Sequence, residues 1–208
     1  MRISLNNVGK QYNGEWIFKS VSLSFSQEFS YLITGSNGSG KSSLLKVLCG
    51  YSVPSQGDVS WETNMNKIEE DRIHQEISVC APFVDLFDKH SVNEAIEFHF
   101  KFKKLVSGFV IQDVIKFCYL DGCEHKFISE LSSGMKQRLK LAITFLSDTP
   151  YLFLDEPCAN LDAQAIDWYQ ENLVKYKKNR LVIICSNNKE EEHFICNKTV
   201  NLGDYKKQ

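Results

Sequence analysis

The stretch that decides the fold is Gly35-Ser36-Asn37-Gly38-Ser39-Gly40-Lys41-Ser42. It matches the pattern G-x-x-x-x-G-K-[S/T] of loops that hold the phosphates of a nucleotide. Glycines at these positions let backbone N–H groups converge on phosphate oxygens, and the helix that follows adds its positive N-terminal end. With glycine at about 7% of residues, a chance match in such a chain is on the order of one in a hundred, which disfavours an ordinary surface turn.

Two residues of this loop have distinct expected roles. We expect Lys41 to reach the β- and γ-phosphates of a nucleoside triphosphate, and the hydroxyl of Ser42 to ligate Mg²⁺. The predicted cofactors are therefore ATP and Mg²⁺. The residues expected to line the phosphates are Gly35, Ser36, Asn37, Gly38, Ser39, Gly40, Lys41, Ser42 and Ser43.

The sequence on both sides of the loop has the strand and helix that such a loop requires. Tyr31-Leu32-Ile33 predicts a short buried strand that leads into it. The apolar positions within 44–48 fit the face of a helix, and Gly50 is expected to end that helix. A strand, a Gly-rich loop and a helix in this order favour the phosphate-binding interpretation.

The rest of the chain alternates strands with helices, which predicts an α/β fold with a sheet of mainly parallel strands, as in P-loop NTPases. The first thirty residues predict an antiparallel β portion. Further strands are expected at 58–61, 77–80, 151–154, 181–185 and about 199–202, and helices from Ser91 and at 110–119, 135–146 and 163–176. Ser91 and Glu94 form a capping-box pattern, although the alternation of Phe98, Phe100 and Phe102 also suits a strand.

The helical block between the strands predicts an inserted lobe. We expect a single domain over residues 1–208, with a nucleotide-binding core of 1–83 and 148–208 and a helical lobe of 84–147.

Composition restricts the class of protein and its partners. The chain has 208 residues, of which 43% are apolar and 24% charged, and a net charge of −2, so nucleic acid is not an expected partner. No segment approaches the ~18 to 20 apolar residues of a membrane span, and the N-terminus lacks the apolar block of a signal peptide. The seven cysteines include no CxxC pair, which is typical of buried thiols in a reducing compartment. We therefore expect a cytoplasmic protein.

Tyr151-Leu152-Phe153-Leu154-Asp155-Glu156 is an apolar strand that ends in two acids. Alone, such a run is more often followed by a solvated loop. With the phosphate loop upstream, it places carboxylates at the sheet edge where nucleotides bind. We expect Asp155 to hold Mg²⁺ and Glu156 to act as the general base for the attacking water.

Leu131-Ser132-Ser133-Gly134-Met135 precedes Lys136-Gln137-Arg138 at the start of a predicted helix. An ordinary serine cap would explain Ser132 equally well. The combination resembles the signature of ATP-binding-cassette (ABC) ATPases, which usually read Leu-Ser-Gly-Gly-Gln. The resemblance implies that Ser132 and Gly134 of one subunit contact the γ-phosphate held by the other, in a head-to-tail dimer. Ser133 and Met135 depart from the usual signature.

The resemblance extends over nearly the whole chain and implies two further site residues. Tyr12 lies where the family places an aromatic ring against adenine, although an exposed tyrosine at a strand end is nearly as probable from spacing alone. Asp162, in Ala159-Asn160-Leu161-Asp162, lies where the family has a residue that bridges the two subunits. Asp162 is also a suitable N-cap for the helix at 163–176.

Two residues that the family usually has are missing. Pro82 or Phe83 occupies the position of a glutamine that senses Mg²⁺ and water, and Asn187 occupies the position of a histidine that contacts the γ-phosphate. Asparagine can donate a hydrogen bond but cannot become cationic. Because Glu156 is present, we expect hydrolysis to persist at a reduced or differently coupled rate.

The apolar segment 81–87 leaves two interpretations open. In the family this region helps to form the groove that receives a helix of the transmembrane partner. A buried core of the helical lobe would explain the same residues without a partner.

The resemblance implies the nucleotide-binding subunit of an ABC transporter, a class that binds and hydrolyses Mg·ATP and drives transport through a separate transmembrane permease. Such a chain pairs with a second copy or a related subunit at the cytoplasmic face of the membrane. The missing glutamine and histidine leave an alternative, an ATP-gated dimerisation module with weak hydrolysis. A cassette acting on ribosomes or DNA, or a small-molecule kinase, fits the sequence less well.

Overall fold

The computed structural model describes residues 1–64, 66–187 and 189–205. The strands are β1 (Arg2–Tyr12), β2 (Glu15–Ser26), β3 (Ser30–Thr34), β4 (Gln56–Thr63), β5 (Asn66–Ile68), β6 (Ile77–Cys80), β7 (Tyr151–Asp155), β8 (Leu181–Cys185) and β9 (Lys198–Asn201). The helices are α1 (Lys41–Leu48), α2 (Ile73–Glu76), α3 (Val92–Phe100), α4 (Ile111–Phe117), α5 (Ser133–Leu146), α6 (Ala163–Tyr176) and α7 (Glu190–His193).

The first sheet is antiparallel and has four strands in the order β2-β1-β4-β5. Ile3 pairs with Phe25 on one side and with Trp61 on the other, and all three residues are buried. The predicted N-terminal antiparallel portion is therefore confirmed. Strand β5 was not predicted, because three residues carry too little apolar pattern to indicate a strand.

The second sheet has five strands in the order β6-β7-β8-β3-β9, and its neighbouring strands are parallel. Every residue of β7 and β8 is buried, as expected for central strands covered on both faces. The predicted α/β fold with a mainly parallel sheet is confirmed. Because β3 and β7 both pair with β8, the loops after these three strands meet at the carboxyl edge of the sheet.

The parallel sheet lies between two hydrophobic clusters, because successive strand residues point to opposite faces. Leu152 and Leu154 belong to the cluster that includes α3 to α6, whereas Tyr151 and Phe153 belong to the cluster that includes α1 and the antiparallel sheet. Full burial of each such side chain contributes about 1.5–3 kcal/mol relative to exposure. This packing on both faces holds the strand ends, and therefore the site, in fixed positions.

Helices α3, α4 and α5 lie between β6 and β7 along the chain. The capping box is present, since the Ser91 N–H donates to Glu94 Oε2 (2.8 Å) and the Glu94 N–H donates to Ser91 Oγ (3.2 Å). Phe98 and Phe100 are helical, so the strand interpretation of this segment is wrong. The predicted helices at 110–119, 135–146 and 163–176 are confirmed as α4, α5 and α6. The bounds of the 84–147 lobe stay a prediction.

The cysteines are thiols that lie mostly in the apolar interior. All seven cysteines are free thiols, and five are buried. Burial raises the pKa of Cys80 to about 12, so this thiol stays neutral and packs as a small apolar group.

None of the helices in the described ranges is both long and apolar enough to span a bilayer.

Candidate nucleotide-binding site

The loop between β3 and α1 uses glycines where a side chain would not fit. Gly40 precedes α1 with a φ of 101°, a left-handed conformation that favours glycine. A Cβ at Gly40 would lie 2.4 Å from Cγ2 of Ile17. Gly38 also has a positive φ of 73°. These conformations let the loop curl back over the start of α1, as a phosphate cradle requires.

Lys41 is the first residue of α1, and it is buried. Its Nζ donates hydrogen bonds to the carbonyl oxygens of Gly35 (2.9 Å) and Ser36 (3.2 Å). An ammonium group has three N–H donors, so it can add a phosphate oxygen to these two acceptors. The first turn of α1 contains no acidic residue, which leaves the positive end of the helix for an anion.

Ser42 and Asp155 join the phosphate loop to the end of β7, although they are 113 positions apart in sequence. The Ser42 hydroxyl donates a hydrogen bond of 2.7 Å to Asp155 Oδ2. Burial raises the pKa of the Asp155 carboxyl, and the bond from Ser42 and the charge of Lys41 act in the opposite direction. A bound cation would offset the same cost of burying the carboxylate.

These two oxygen ligands fit Mg²⁺. Magnesium commonly takes one or two carboxylates or hydroxyls from the protein, and phosphates and water complete its shell. Among the described residues, no three His, Cys, Asp or Glu side chains are grouped closely enough to hold a metal. The phosphates of the nucleotide would therefore have to complete the shell around Ser42 and Asp155.

Glu156 and Asn187 contact each other directly after β7 and β8. The Asn187 Nδ2 donates a hydrogen bond of 2.6 Å to Glu156 Oε1. Glu156 has a φ of 47°, and its N–H donates to the Cys185 carbonyl (2.9 Å). This left-handed residue ends the strand abruptly and directs the chain into a turn. The predicted general base and the residue at the family's histidine position are therefore partners.

A cavity of about 490 Å³ gathers most of the predicted site residues. Tyr12, Glu156 and Asn187 lie on its wall together with Asn37, Gly38, Ser39, Gly40, Lys41, Ser42 and Ser43. Gly35 and Ser36 line an adjoining cavity that Asn187 also borders. Tyr12 is half exposed, and Lys10 Nζ lies 5.1 Å from the centroid of its ring. Its ring is therefore accessible for stacking on a base.

Ile17 lines the same cavity and was missed by sequence reasoning. It lies in β2, where it contributes to the packing of the antiparallel sheet. Its only sequence signal is its position after the turn that follows Tyr12, which does not separate a cavity residue from a core residue.

The signature residues lie outside this cavity. Ser132 is exposed and caps α5, because its Oγ accepts a hydrogen bond from the Met135 N–H (3.2 Å). A Cβ at Gly134 would lie 2.9 Å from the Asn160 carbonyl oxygen, so the start of α5 approaches the loop that ends at Asp162. Asp162 caps α6 by accepting from the Ala165 N–H (2.8 Å). The capping roles of Ser132 and Asp162 are therefore present, and neither residue lines the two cavities beside the phosphate loop.

Gln137 connects α5 to the turn after β7. Its Nε2 donates a hydrogen bond of 2.7 Å to the Pro157 carbonyl, directly after Glu156. Lys140, one turn further along α5, donates to the Ala81 carbonyl (2.9 Å) at the end of β6. The sequence reasoning gave Gln137 no role beyond the motif, because a polar residue on a helix gives no indication of its partner.

A family profile described as ABC transporter matches residues 18–159 of the chain. The chain belongs to the ABC transporter family. Its fold is that of the ATP-binding cassette ATPases, as the resemblance at Ser132 and Gly134 indicated.

Named relatives and a solved structure agree with this assignment. The chain is 29% identical over 197 residues to the spermidine/putrescine import ATP-binding protein PotA of Mycoplasma mycoides, which covers 91% of this chain and 55% of PotA. It therefore spans about half the length of that relative. It is 28% identical over 201 residues to the uncharacterized ABC transporter ATP-binding protein YybJ of Bacillus subtilis, which covers 93% of this chain and 89% of YybJ.

The fold is similar to the solved dimeric structure of MJ0796, a bacterial ABC transporter cassette. The TM-score is 0.80 and the sequence identity 22%, over 97% of this chain and 95% of the other. At this identity the similarity shows the fold of an ABC cassette.

Residues of the apolar segment 81–87 differ in their surroundings, so neither the docking-groove interpretation nor the buried-core interpretation covers all of them. Phe83 packs against Tyr51, with ring centroids 5.9 Å apart, and Lys46 Nζ lies 4.9 Å from its ring. Leu86 packs against the helical core cluster. Phe87, in contrast, is 61% exposed. Phe83 and Leu86 are therefore half-buried residues that pack against the core, whereas Phe87 is exposed.

Proposed function

We propose that this chain is the nucleotide-binding subunit of an ABC transporter, and that it hydrolyses Mg·ATP at the interface with a second cassette to drive transport through a separate membrane permease. One observation carries the proposal. The hydrogen bond between Ser42 and Asp155 brings the phosphate loop against the strand that ends in Glu156. Hydrogen-bond donors for the phosphates, ligands for a cation and a carboxylate for the attacking water therefore lie close together.

In this proposal each residue acts through an ordinary chemical property. Lys41 and the N-terminal end of α1 bind the β- and γ-phosphates and stabilise the negative charge that develops on their oxygens. Ser42 and Asp155 would hold Mg²⁺, which would supply positive charge against the same oxygens. One oxygen of Glu156 accepts the proton of the attacking water. Asn187 donates to the other oxygen and fixes the orientation of the carboxylate.

The second cassette would supply the signature residues. Ser132 is exposed at the N-terminus of α5 and lies outside the cavity of its own chain. An exposed helix N-terminus favours an anion, and the γ-phosphate bound by the other cassette would be that anion. Gly134 would permit close approach, and Asp162 would contact the partner cassette while it caps α6. The dimeric state of the MJ0796 cassette supports this arrangement.

The permease would dock on the helical side of the cassette at the cytoplasmic face of the membrane. Phe87, Phe98 and Phe102 are 61%, 40% and 67% exposed. Their rings form a chain, with centroids 5.6 Å apart for Phe87 and Phe98 and 5.3 Å apart for Phe98 and Phe102. Exposed aromatic side chains in contact with one another are characteristic of interaction surfaces. We call these three residues the aromatic patch.

A second candidate is an ATP-gated dimerisation module with weak hydrolysis. The observation that favours it is the partner of Glu156, since the amide of Asn187 cannot take up a proton during the reaction. In addition, Pro82, at the position of the family's glutamine, has no side-chain group that could orient water or ligate a cation. This candidate predicts the same dimer but very slow turnover.

ATP-dependent association tests the shared part of both candidates. Glu156→Gln keeps the size of the side chain but cannot serve as a base, so it should accumulate a dimer in Mg·ATP and return to the monomer after ATP is removed. Light scattering during size-exclusion chromatography would measure this. Ser132→Arg should prevent the dimer and spare ATP binding, whereas Ser129→Arg, also exposed on the lobe, should not. A Glu156→Gln protein that stays monomeric at every ATP concentration would contradict the head-to-tail interface.

A further inference from the structure

A buried carboxylate lies next to the site but does not line its cavity. Glu192 belongs to the short helix α7 that follows β8, and its exposed fraction is 0%. A buried carboxylate is costly unless its oxygens are hydrogen-bonded. Both oxygens of Glu192 have partners, and those partners belong to the two loops that carry Glu156 and Asn187.

One oxygen contacts the loop after β7. Glu192 Oε1 accepts a hydrogen bond from the Cys158 N–H (3.3 Å), and Cys158 is buried in the turn that begins at Glu156. The same turn is closed by a bond from the Ala159 N–H to the Glu156 carbonyl (3.0 Å). Glu192 is therefore hydrogen-bonded to the turn that begins at Glu156.

The other oxygen contacts the loop after β8. Glu192 Oε2 accepts a short hydrogen bond from the Ser186 hydroxyl, and Ser186 is fully buried directly before Asn187. The exposed Lys189 adds an ammonium group at 3.8 Å from Oε1. Tyr169 of α6 fixes the backbone of Glu192, because its hydroxyl donates to the Glu192 carbonyl (2.6 Å).

The Glu192 side chain therefore bridges the loops that follow β7 and β8, just beyond the point where the pairing of these two strands ends. The β7–β8 pairing ends at Asp155 and Cys185, and the bond of 2.6 Å between Asn187 and Glu156 lies past that end. We propose that Glu192 is a positioning residue that keeps Asn187 in contact with Glu156. The inference rests on the proposed roles of those two residues.

Three variants separate the bridge from a merely structural role. Glu192→Gln can keep both bonds, because its amide oxygen can accept from Cys158 and its amide N–H can donate to the oxygen of Ser186. Glu192→Ala removes both bonds, and Ser186→Ala removes one with less disturbance of the core. We expect kcat for ATP to fall about 10- to 100-fold in Glu192→Ala, because small displacements of catalytic groups have effects of that size. Ser186→Ala should show a smaller fall and Glu192→Gln little change, with KM unchanged in all three because the phosphate loop is not touched.

A double mutant tests the route of the effect. If Glu192 acts through Asn187, the pair Asn187→Ala and Glu192→Ala should have the same kcat as Asn187→Ala alone, since residues in one network are not additive. Fully additive losses, or a loss in Glu192→Gln equal to that in Glu192→Ala, would overturn the inference. Thermal unfolding of each variant identifies the temperatures at which all are folded.

Amide hydrogen exchange gives a second readout that does not depend on turnover. In Glu192→Ala we expect faster exchange in the segments 156–162 and 184–187 and unchanged exchange in 35–42. If wild-type chain shows no turnover above Glu156→Gln, the proposed function fails, and the exchange result still decides the role of Glu192. Unchanged exchange in both loops would overturn it.

Discussion

The amide of Asn187 donates a hydrogen bond of 2.6 Å to Oε1 of Glu156, across the ends of the neighbouring strands β8 and β7. This contact gives the carboxylate a fixed orientation and leaves its other oxygen for water. Because an amide does not ionise near neutral pH, Asn187 itself adds no pH dependence to the contact in that range.

We predict that Asn187→Ala lowers kcat about 10-fold or more and leaves KM for ATP nearly unchanged, since the carboxylate loses its orientation. Asn187→His introduces a group with an ordinary pKa near 6.5, so its kcat should show an inflection at about pH 6 to 7 that wild type lacks. Steady-state kinetics across this pH range would measure both effects. Identical pH profiles for wild type and Asn187→His would contradict the role given to Asn187.

Lys41 and Lys46 lie on the same helix and form a matched pair. Lys41 Nζ is bound to the phosphate loop, whereas Lys46 Nζ lies over the Phe83 ring. A charge-assisted hydrogen bond contributes about 1.5–3 kcal/mol, so Lys41→Ala should weaken ATP binding by about 10- to 100-fold. Lys46→Ala should change it little. Calorimetric titration with Mg·ATP would measure both, and equal losses would exclude a specific phosphate contact at Lys41.

Phe83 and Phe87 should respond oppositely to a charge. Phe83→Asp replaces a half-buried ring that packs against Tyr51 and the core cluster around α1, and it should lower Tm by about 2 to 4 °C, the shift for about 1 kcal/mol in a chain of this size. Phe87 is mostly exposed, so Phe87→Asp should leave Tm and ATP binding unchanged and weaken permease binding. Thermal unfolding and a pull-down with the permease would measure these effects. Normal permease binding by Phe87→Asp would contradict the docking role of the aromatic patch.

Elements with a local chemical signal could be predicted from the sequence. The helix α6 begins where predicted because Asp162 provides an N-cap, and α3 begins at the Ser91 capping box. The phosphate loop and the acids after β7 were predicted because their chemistry needs fixed residue types at fixed spacing.

Residues whose role depends on distant partners could not be predicted. Ile17 reaches the cavity only because the antiparallel sheet packs beside the phosphate loop. Glu192 belongs to the run Glu190-Glu191-Glu192, which normally indicates a solvated surface, yet the fold buries its carboxylate between Ser186 and Cys158. No local pattern distinguishes it from its two neighbours.

His99 makes stability depend on pH. Its Nε2 lies 2.9 Å from Ser147 Oγ. Burial, with a smaller effect of the Lys103 charge, lowers the pKa of His99 to about 4. The unfolded chain binds this proton near pH 6.5, so the contribution of His99 to stability is complete above about pH 6.5 and is lost as pH falls towards 4.

We therefore predict that the free energy of unfolding of wild type falls more steeply between pH 7 and pH 5 than that of His99→Gln, by up to about 1.4 kcal/mol per pH unit. Urea denaturation of both proteins at the two pH values would measure the difference. Parallel losses in the two proteins would show that His99 is not responsible.

Phosphate release at saturating Mg·ATP tests most directly whether Glu156 serves a working ATPase site. The measurement compares the purified wild-type chain with Glu156→Gln, which retains the fold and the phosphate loop. The account predicts that the rate of phosphate release by wild type exceeds that of this variant at least about 10-fold. General-base catalysis contributes about 10²- to 10⁴-fold, and the lower figure allows for Asn187 in place of the family's usual histidine. Equal rates in the two proteins would contradict it.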